Sequence, residues 1–203
     1  MNDFEREICA YIGEDNFKKV QSCRIGIAGA GGLGSNAAFN LVRSAFKKFT
    51  IVDFDKIDYS NLNRQFYFYN QVARFKVEAL KENLLMINPD LDIEVIKIKV
   101  DKGNIRRIFK DCSVIIEAFD NVASKKMIVE EYLNSSKLLI SASGLAGWGN
   151  SDEIVIRKIN NSSYMLGDFK SEVNEFLAAF SPRVNIVAAK QADIVLDHIL
   201  EGS

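Results

Sequence analysis

Apolar residues along this chain occur in short continuous runs that alternate with longer segments of helical spacing. The continuous runs predict buried strands at residues 23–28, 48–52, 93–100, 113–118 (read as fully apolar) and 137–142. The segments with helical spacing predict helices at residues 33–46, 70–87, 105–110, 122–133 and 183–200. This alternation predicts an α/β fold in which helices cover both faces of a mostly parallel sheet.

The two ends of the chain depart from this alternation. Residues 1–22 are polar with apolar positions at helical spacing, which predicts a helical preamble. Residues 153–159 alternate between polar and apolar, which predicts a C-terminal antiparallel extension of the sheet. Residues 160–182 are interpreted as a loop that crosses to the last helix. Because the chain has no repeat, low-complexity segment or clear linker, residues 1–203 are expected to form a single domain.

The amino-acid composition excludes several classes of protein. Of 203 residues 48% are hydrophobic, so a sizeable core needs neither disulfides nor a structural metal. The 26 basic and 27 acidic residues nearly cancel and form no basic block, so no nucleic-acid partner is expected. The acidic and basic residues of the N-terminus predict no signal peptide, and no apolar stretch approaches the length that a membrane span needs. The three cysteines (Cys9, Cys23 and Cys112) form no CxxC pair, so we expect no bound zinc and a reducing, cytoplasmic location.

Three features around the first two strands point to an adenine nucleotide. Gly29-Ala-Gly-Gly-Leu-Gly34 fits the pattern GxGxxG between a predicted strand and a predicted helix. Its glycines, including Gly31 and Gly32, allow a tight turn, and the helix N-terminus attracts phosphate. Asp53 ends the second strand, where a carboxylate accepts hydrogen bonds from ribose hydroxyls. This Rossmann-like pattern alone suits a nicotinamide-dependent dehydrogenase equally well.

The next segment distinguishes these two interpretations. Residues 53–65 read Asp-Phe-Asp-Lys-Ile-Asp-Tyr-Ser-Asn-Leu-Asn-Arg-Gln. They resemble the DxDxVxxSNLxRQ hallmark of the superfamily of ThiF, MoeB and the ubiquitin-activating enzymes, with Ile57 replacing valine. Four further segments resemble the same superfamily in the correct order: residues 73–80, 88–89, 119–121 and 181–184. The length and the lack of zinc-binding cysteines are most similar to the short ThiF-like sulfur carrier protein adenylyltransferases.

The resemblance implies an adenylyltransferase that uses ATP and Mg²⁺ to activate a carboxylate. Arg64 would offer a planar fork to phosphate, Lys76 a compact cation, and Asp120 a ligand for Mg²⁺ at the end of a parallel strand. The remaining residues of the expected nucleotide site are Asp55, Asn61, Gln65 and Asn121.

Each role has a structural alternative. Arg64 and Lys76 are also interpretable as solvated surface cations, and Asp55 as a turn cap. Asp120 is equally placed to cap the helix that begins at Val122.

The chain departs from the superfamily in two places. Many members carry a cysteine in the crossover loop, but residues 160–182 contain none, so a separate protein is expected to donate the sulfur. Related homodimers complete each site with an arginine from the partner's N-terminus, and Arg6 is the only arginine of this preamble. Its alternative role is a surface ion pair. Trp148 either lines the channel for the carrier tail or packs a loop.

The substrate expected from the resemblance is the C-terminal Gly-Gly of a small ubiquitin-like sulfur carrier (ThiS-like), in thiamine biosynthesis. The expected assembly is a homodimer. Alternatives are adenylation of a molybdopterin-synthase carrier, a peptide or a modified tRNA, or a non-catalytic subunit of an activating enzyme. Arg64, Lys76 and Asp120 in motif positions argue against the non-catalytic subunit.

Overall fold

The computed structural model describes residues 1–202, which form a seven-stranded sheet with helices on both faces. The strands are β1 (Arg24–Ala28), β2 (Lys48–Val52), β3 (Asp92–Ile96), β4 (Val114–Glu117), β5 (Leu138–Ala142), β6 (Val155–Asn160) and β7 (Ser163–Gly167). Their order across the sheet is β3-β2-β1-β4-β5-β7-β6. All neighbours are parallel except β6 and β7, so the predicted α/β class, the mostly parallel sheet and the C-terminal antiparallel extension are confirmed.

Seven α-helices surround the sheet within the described residues. They are α1 (Asp3–Ile12), α2 (Glu14–Ser22), α3 (Gly32–Arg43), α4 (Lys76–Leu85), α5 (Ile105–Ile108), α6 (Val122–Tyr132) and α7 (Ser181–Glu201). Short 3-10 turns lie at Tyr59–Asn61, Tyr69–Gln71 and Ser151–Glu153. No helix of residues 1–202 combines the length and apolar character that a membrane crossing demands.

Two hydrophobic clusters show why the strands read as apolar runs. Successive side chains of a strand point to opposite faces of the sheet. Ile25 and Ile27 of β1 therefore join a large cluster with α3, α4 and α7, whereas Ile115 and Leu139 join a second cluster with α5 and α6. The central strands β1, β2, β4 and β5 are buried on both faces, which favours apolar residues at nearly every position of these strands.

One strand contains a charge that the sequence interpretation overlooked. Residues 113–118 were expected to be fully apolar, but Glu117 ends β4 and is 1% exposed. A buried carboxylate requires partners, because isolated charges are costly to remove from water. The partners of Glu117 are described below with the site.

The interpretation of residues 160–182 as a loop is wrong at its start. Asn160 ends β6, residues 161–162 form the turn of a hairpin, and β7 follows at once, pairing with β5 and β6. The polar run Asn160-Asn-Ser-Ser163 resembled the start of a long loop, yet Ser163 itself is buried in the sheet. Tyr164 and Leu166 supply the apolar contacts of this strand.

The helix expected over residues 70–87 begins six residues later, at Lys76. Ala73 has a φ of 70°, a left-handed conformation that an α-helix cannot contain. Its N–H donates to the carbonyl of Ile57, and the N–H of Lys76 donates to that of Asp55. The chain is therefore bent back against residues 55–57 before α4 starts.

The turn between β1 and α3 depends on a close backbone approach. A Cβ on Gly34 would lie 1.8 Å from the carbonyl oxygen of Gly29, which is backbone and has little freedom to move. By contrast, a Cβ on Gly31 would meet no atom closer than Gln65 Nε2, at 3.8 Å. Two glycines of one motif thus have different steric requirements.

We expect Gly34→Ala to lower the free energy of unfolding by about 3 kcal/mol, because the new methyl group forces the turn apart. Urea denaturation followed by circular dichroism measures this change. Gly31→Ala is the matched control and should unfold within about 1 kcal/mol of the unaltered chain. Equal stability of the two variants would contradict the steric argument.

Candidate functional site

The sequence-predicted residues gather where the order of the strands reverses. From β1 the chain proceeds to β2 and β3 on one side, and it later returns to place β4 on the other side. Open parallel sheets bind ligands at the carboxyl ends of the strands beside such a switch point. The glycine segment follows β1 here, Asp53 follows β2, and Asp120 lies three residues beyond the end of β4.

The glycine loop leaves the start of α3 available to a ligand. Gly29 has a φ of 102°, and a Cβ on it would lie 2.7 Å from the carbonyl oxygen of Ala118. Gly31 is the N-cap residue of α3 and provides no side chain to accept the first helical N–H groups. Uncapped N–H groups and the positive end of the helix dipole together favour an anion.

Asp53 supports the glycine loop through a hydrogen bond to its backbone. This carboxylate is buried, and its two oxygens accept from the backbone N–H groups of Ala30 (2.7 Å) and Asp55 (2.8 Å). Tyr67 donates its hydroxyl to the carbonyl of Ala30 at 2.7 Å. The hydrogen bonds from Ala30 N–H to Asp53 and from Tyr67 to the Ala30 carbonyl together fix the backbone of the glycine loop at Ala30. Tyr67 was not among the residues predicted from the sequence, although it lies two residues after Gln65.

Lys76 and Asp55 form an ion pair at the side of the loop. Lys76 Nζ lies 2.8 Å from Asp55 Oδ2; the lysine side chain is 9% exposed and the aspartate 44% exposed. Lys76 is therefore not the solvated surface cation of the alternative interpretation. Asp55 orients the ammonium group, because a single carboxylate oxygen and the start of α4 define its position.

Arg64 extends over the glycine loop on the side of α7. A Cβ on Gly32 would lie 3.6 Å from Arg64 Cγ and 3.1 Å from Val184 Cγ1. Arg64 Nη1 donates to the carbonyl of Ser60 and to Asn63 Oδ1. Within the described residues its Nη2 and Nε have no partner, which leaves part of the guanidinium fork for a ligand.

Asn61 and Gln65 are in the same turn but differ in availability. Asn61 Oδ1 accepts from the N–H of Asp58 in a capping box, so this side chain stabilises the 3-10 turn. Gln65 is buried, and its Oε1 has no donor among the described residues. A buried acceptor without a donor is uncommon in proteins. Gln65 Nε2 is the atom nearest to Gly31, since a Cβ on this glycine would lie 3.8 Å from it, so the side chain packs beside the glycine loop.

Asp120 and Asn121 follow β4 and have separate tasks. Asn121 caps α6, since its Oδ1 accepts from the N–H of Ser124 at 2.8 Å. The alternative interpretation of Asp120 as the helix cap is therefore wrong. Asp120 is exposed, and its carboxylate has no ion-pair or hydrogen-bond partner within residues 1–202.

The single free carboxylate of Asp120 is better suited to binding Mg²⁺ than to binding a metal whose ligands all come from the protein. Residues 1–202 contain no cluster of three or more histidine, cysteine, aspartate or glutamate side chains suited to a metal ion. Mg²⁺ is usually bound by one or two carboxylates together with substrate phosphates and water. Asp120 at the end of β4 meets this requirement, with phosphate expected at the neighbouring loop.

Glu117, which is 1% exposed, and Lys125, which is 29% exposed, form an ion pair on either side of Asp120 in the sequence. Glu117 accepts from Lys125 Nζ at 3.1 and 3.2 Å, and burial raises the pKa of Glu117 while Lys125 opposes this effect. Neither residue was identified from the sequence. The available signal was a glutamate within an otherwise apolar strand, followed eight residues later by a lysine.

A cavity of about 370 Å³ opens beside the start of α7. Trp148, Lys170 and Leu177 line it, and the Trp148 side chain is 70% exposed with its ring edge-on to Phe180. Arg183 forms the inner wall through a buried ion pair with Asp168 and a hydrogen bond to the carbonyl of Gly149. This loop region is joined to the Arg64 turn, because Asn63 Nδ2 donates to the carbonyl of Ala179.

The remaining candidates lie away from the glycine loop. Cys23 and Cys112 are buried, as predicted, and burial raises the pKa of Cys112 to about 11. Cys9 is half-buried on α1. Arg6 is exposed and pairs with Asp3 on the same helix, which is the surface pair of its alternative interpretation.

The pH dependence of stability tests whether the buried Tyr67 hydroxyl supports the glycine loop. Burial, together with the nearby Asp53 carboxylate, raises the pKa of Tyr67 well above its usual value. An unfolded tyrosine ionises near pH 10, so the unfolded chain loses this proton first, and stability falls as pH rises above about 10. We expect the loss of stability between about pH 9 and 11 to be smaller in Tyr67→Phe.

Urea denaturation of both chains at several pH values measures this difference. Tyr69→Phe is the control, because Tyr69 is 74% exposed and its substitution should leave the pH dependence unchanged. Identical pH dependence of Tyr67→Phe and the unaltered chain would contradict the burial of this hydroxyl.

Comparison with known proteins gives a family match over almost the whole chain. The model of the ThiF family matches residues 4–201. SUMO-activating enzyme subunit 2 of Dictyostelium discoideum is 32% identical over 155 residues, which is 73% of this chain and 22% of that protein. A probable molybdopterin-synthase adenylyltransferase of Gracilaria tenuistipitata var. liui is 35% identical over 118 residues, 58% of this chain and 33% of that protein. The chain thus spans a third or less of these relatives.

Solved structures share the fold. The tRNA N6-threonylcarbamoyladenosine dehydratase of E. coli, in complex with ATP, superposes with a TM-score of 0.82 at 21% identity, covering 97% of this chain and 92% of that chain. E. coli MccB with ATP superposes with a TM-score of 0.73 at 18% identity, covering 100% of this chain and 65% of that chain. At these identities the likeness establishes the architecture.

Proposed function

Because the chain belongs to the ThiF family, we propose that it is an adenylyltransferase that uses ATP to activate a carboxylate. The observation that carries the proposal is the set of unsatisfied groups around one glycine loop. These are the uncapped start of α3, the free nitrogens of Arg64 and the unpaired Asp120. Together they offer donors and a cation for phosphate, and a metal ligand.

The proposed reaction breaks one phosphate bond of ATP. An oxygen of the substrate carboxylate attacks the α-phosphorus, the bond to the β-phosphate oxygen breaks, and pyrophosphate leaves. Arg64 and the α3 N–H groups orient the phosphates, while Lys76, aligned by Asp55, balances the negative charge. Asp120 would hold Mg²⁺, which neutralises phosphate oxygens when bound. No protein nucleophile is required, so positioning and electrostatics provide the rate enhancement.

The proposed substrate is the Gly-Gly C-terminus of a small ubiquitin-like sulfur carrier of the ThiS type. The cavity beside α7, which Trp148 and Leu177 line, supports this choice, because the neighbouring Ala179 carbonyl is hydrogen-bonded to Asn63 of the Arg64 turn. We further propose a role in the thiamine pathway, a separate sulfur donor and a cytoplasmic homodimer. The absence of cysteine in residues 160–182 supports the separate donor.

The names of similar proteins suggest a second candidate substrate, in which the carboxylate belongs to a different molecule. One relative is named for molybdopterin synthase, and one structural neighbour is named for a modified tRNA. Near-neutral charge weighs against tRNA, since nucleic-acid affinity depends largely on cationic side chains. The same adenylation chemistry would then act on another substrate.

Pyrophosphate exchange tests the proposal. The purified chain, with Mg²⁺ and ATP, is expected to exchange radiolabelled pyrophosphate into ATP only when a Gly-Gly-ended sulfur carrier is present. Asp120→Ala should lower this exchange by about 100-fold or more, because a charge-stabilising ligand is lost. Asp15→Ala is the control, since Asp15 is an exposed aspartate of α2.

The outcomes separate the substrate from the chemistry. Exchange with a molybdopterin-type carrier, a peptide or tRNA, but not with a ThiS-like carrier, would move the assignment to that substrate. ATP binding without exchange for any of these carboxylates would contradict the proposed adenylation. Unchanged exchange in Asp120→Ala would remove Asp120 from the site.

A further inference from the structure

The ammonium group of Lys125 is surrounded by acceptors of its own chain. Lys125 Nζ lies 3.2 Å from Glu117 Oε1, 3.1 Å from Glu117 Oε2 and 3.2 Å from the carbonyl oxygen of Ala142. An ammonium group has three protons, and these three oxygens account for all of them. Lys125 therefore has no donor left for phosphate, although it lies on the second turn of α6 beside the candidate site.

Glu117 is engaged in the same way. Its Oε1 accepts from the N–H of Phe119 at 2.8 Å in addition to Lys125. The carboxylate is 1% exposed, which prevents direct contact with a ligand. This pair thus joins the end of β4, the first turns of α6 and the end of β5 at one buried point.

The chain between Glu117 and Lys125 carries Asp120. The N–H of Ala118 donates to the carbonyl of Ala28, and the carbonyl of Ala118 lies where a Cβ on Gly29 would be only 2.7 Å away. The position of this connection relative to the glycine loop is therefore restricted. Asp120 is attached to a backbone that is held at both ends.

Stability alone is a weak reason for such a pair. Burying the Glu117 carboxylate costs free energy that its partner only repays, and apolar residues of similar volume often stabilise a protein equally well. A fixed geometry is what an ion pair with three defined acceptors provides beyond an apolar contact.

We propose that Glu117 and Lys125 are positioning residues that hold Asp120 in place for the Mg²⁺ of Mg·ATP. This inference rests on the proposed function, because it takes the metal role of Asp120 from there. Neither residue touches the nucleotide. Their effect is confined to the part of ATP affinity that depends on Mg²⁺.

Isothermal titration measures ATP affinity with Mg²⁺ and with EDTA, and the ratio of the two is the gain due to the metal. Lys125→Met is expected to lower this gain by about tenfold, as the loss of groups that orient a metal ligand does elsewhere. ATP affinity in EDTA should stay within about twofold, because the glycine loop and Arg64 are unaltered. Asp120→Ala sets the size of the full effect.

Two variants separate positioning from general damage. Lys125→Arg keeps the positive charge and can donate to both oxygens of Glu117, so it should restore the metal gain to within about threefold. Lys126→Met is the matched control, since Lys126 is the next residue of α6, is exposed and pairs with Glu130. It should match the unaltered chain. Glu117→Gln keeps the acceptor for Phe119 and repeats the test if Lys125→Met does not fold.

The results distinguish this inference from the proposed function. A metal gain that is lost in Asp120→Ala but unchanged in Lys125→Met overturns the inference and leaves the proposed function standing. An equal loss in Mg²⁺ and in EDTA also overturns it, since the pair would then support the whole loop. No ATP binding by the unaltered chain overturns both.

Discussion

The candidate site depends on one buried carboxylate at the end of β2. Asp53 accepts from the N–H of Ala30 in the glycine loop and from the N–H of Asp55, which in turn aligns Lys76. A carboxylate with charge-assisted hydrogen bonds to two segments holds both against the sheet. Asp53 and Tyr67 fix the loop through hydrogen bonds to Ala30. No side chain is therefore needed to cap α3, and the first N–H groups of this helix remain available to phosphate.

The sheet and the glycine loop were predictable because their physical requirements are local. Parallel strands buried on both faces need continuous apolar runs, and residues 48–52 were predicted with the bounds that the structure has. The turn from β1 into α3 needs Gly34 next to the carbonyl of Gly29, which only glycine permits. In the structure Arg64 and Gln65, the last residues of the motif at 53–65, lie beside this turn.

The failures have a different cause, because they depend on partners distant in sequence. The sequence near residues 163–167 contains no sign that β5 has an unpaired edge, so these residues were predicted to be a loop, whereas they form β7 against β5. The late start of α4 follows from pairing with residues 55–57, and the burial of Glu117 follows from Lys125 on α6. The sequence suggested Asp120 as the cap of α6, and only the backbone geometry assigns the cap to the adjacent Asn121.

The central claim is that ATP binds across the glycine loop between β1 and β4. Hydrogen–deuterium exchange of the unaltered chain, with and without Mg·ATP, tests it most directly. We predict slower exchange in peptides that cover residues 29–36, 61–66 and 118–124, with no change in β6, which lies at the far edge of the sheet. Protection confined to other segments, or none at saturating Mg·ATP, would contradict the location of the site.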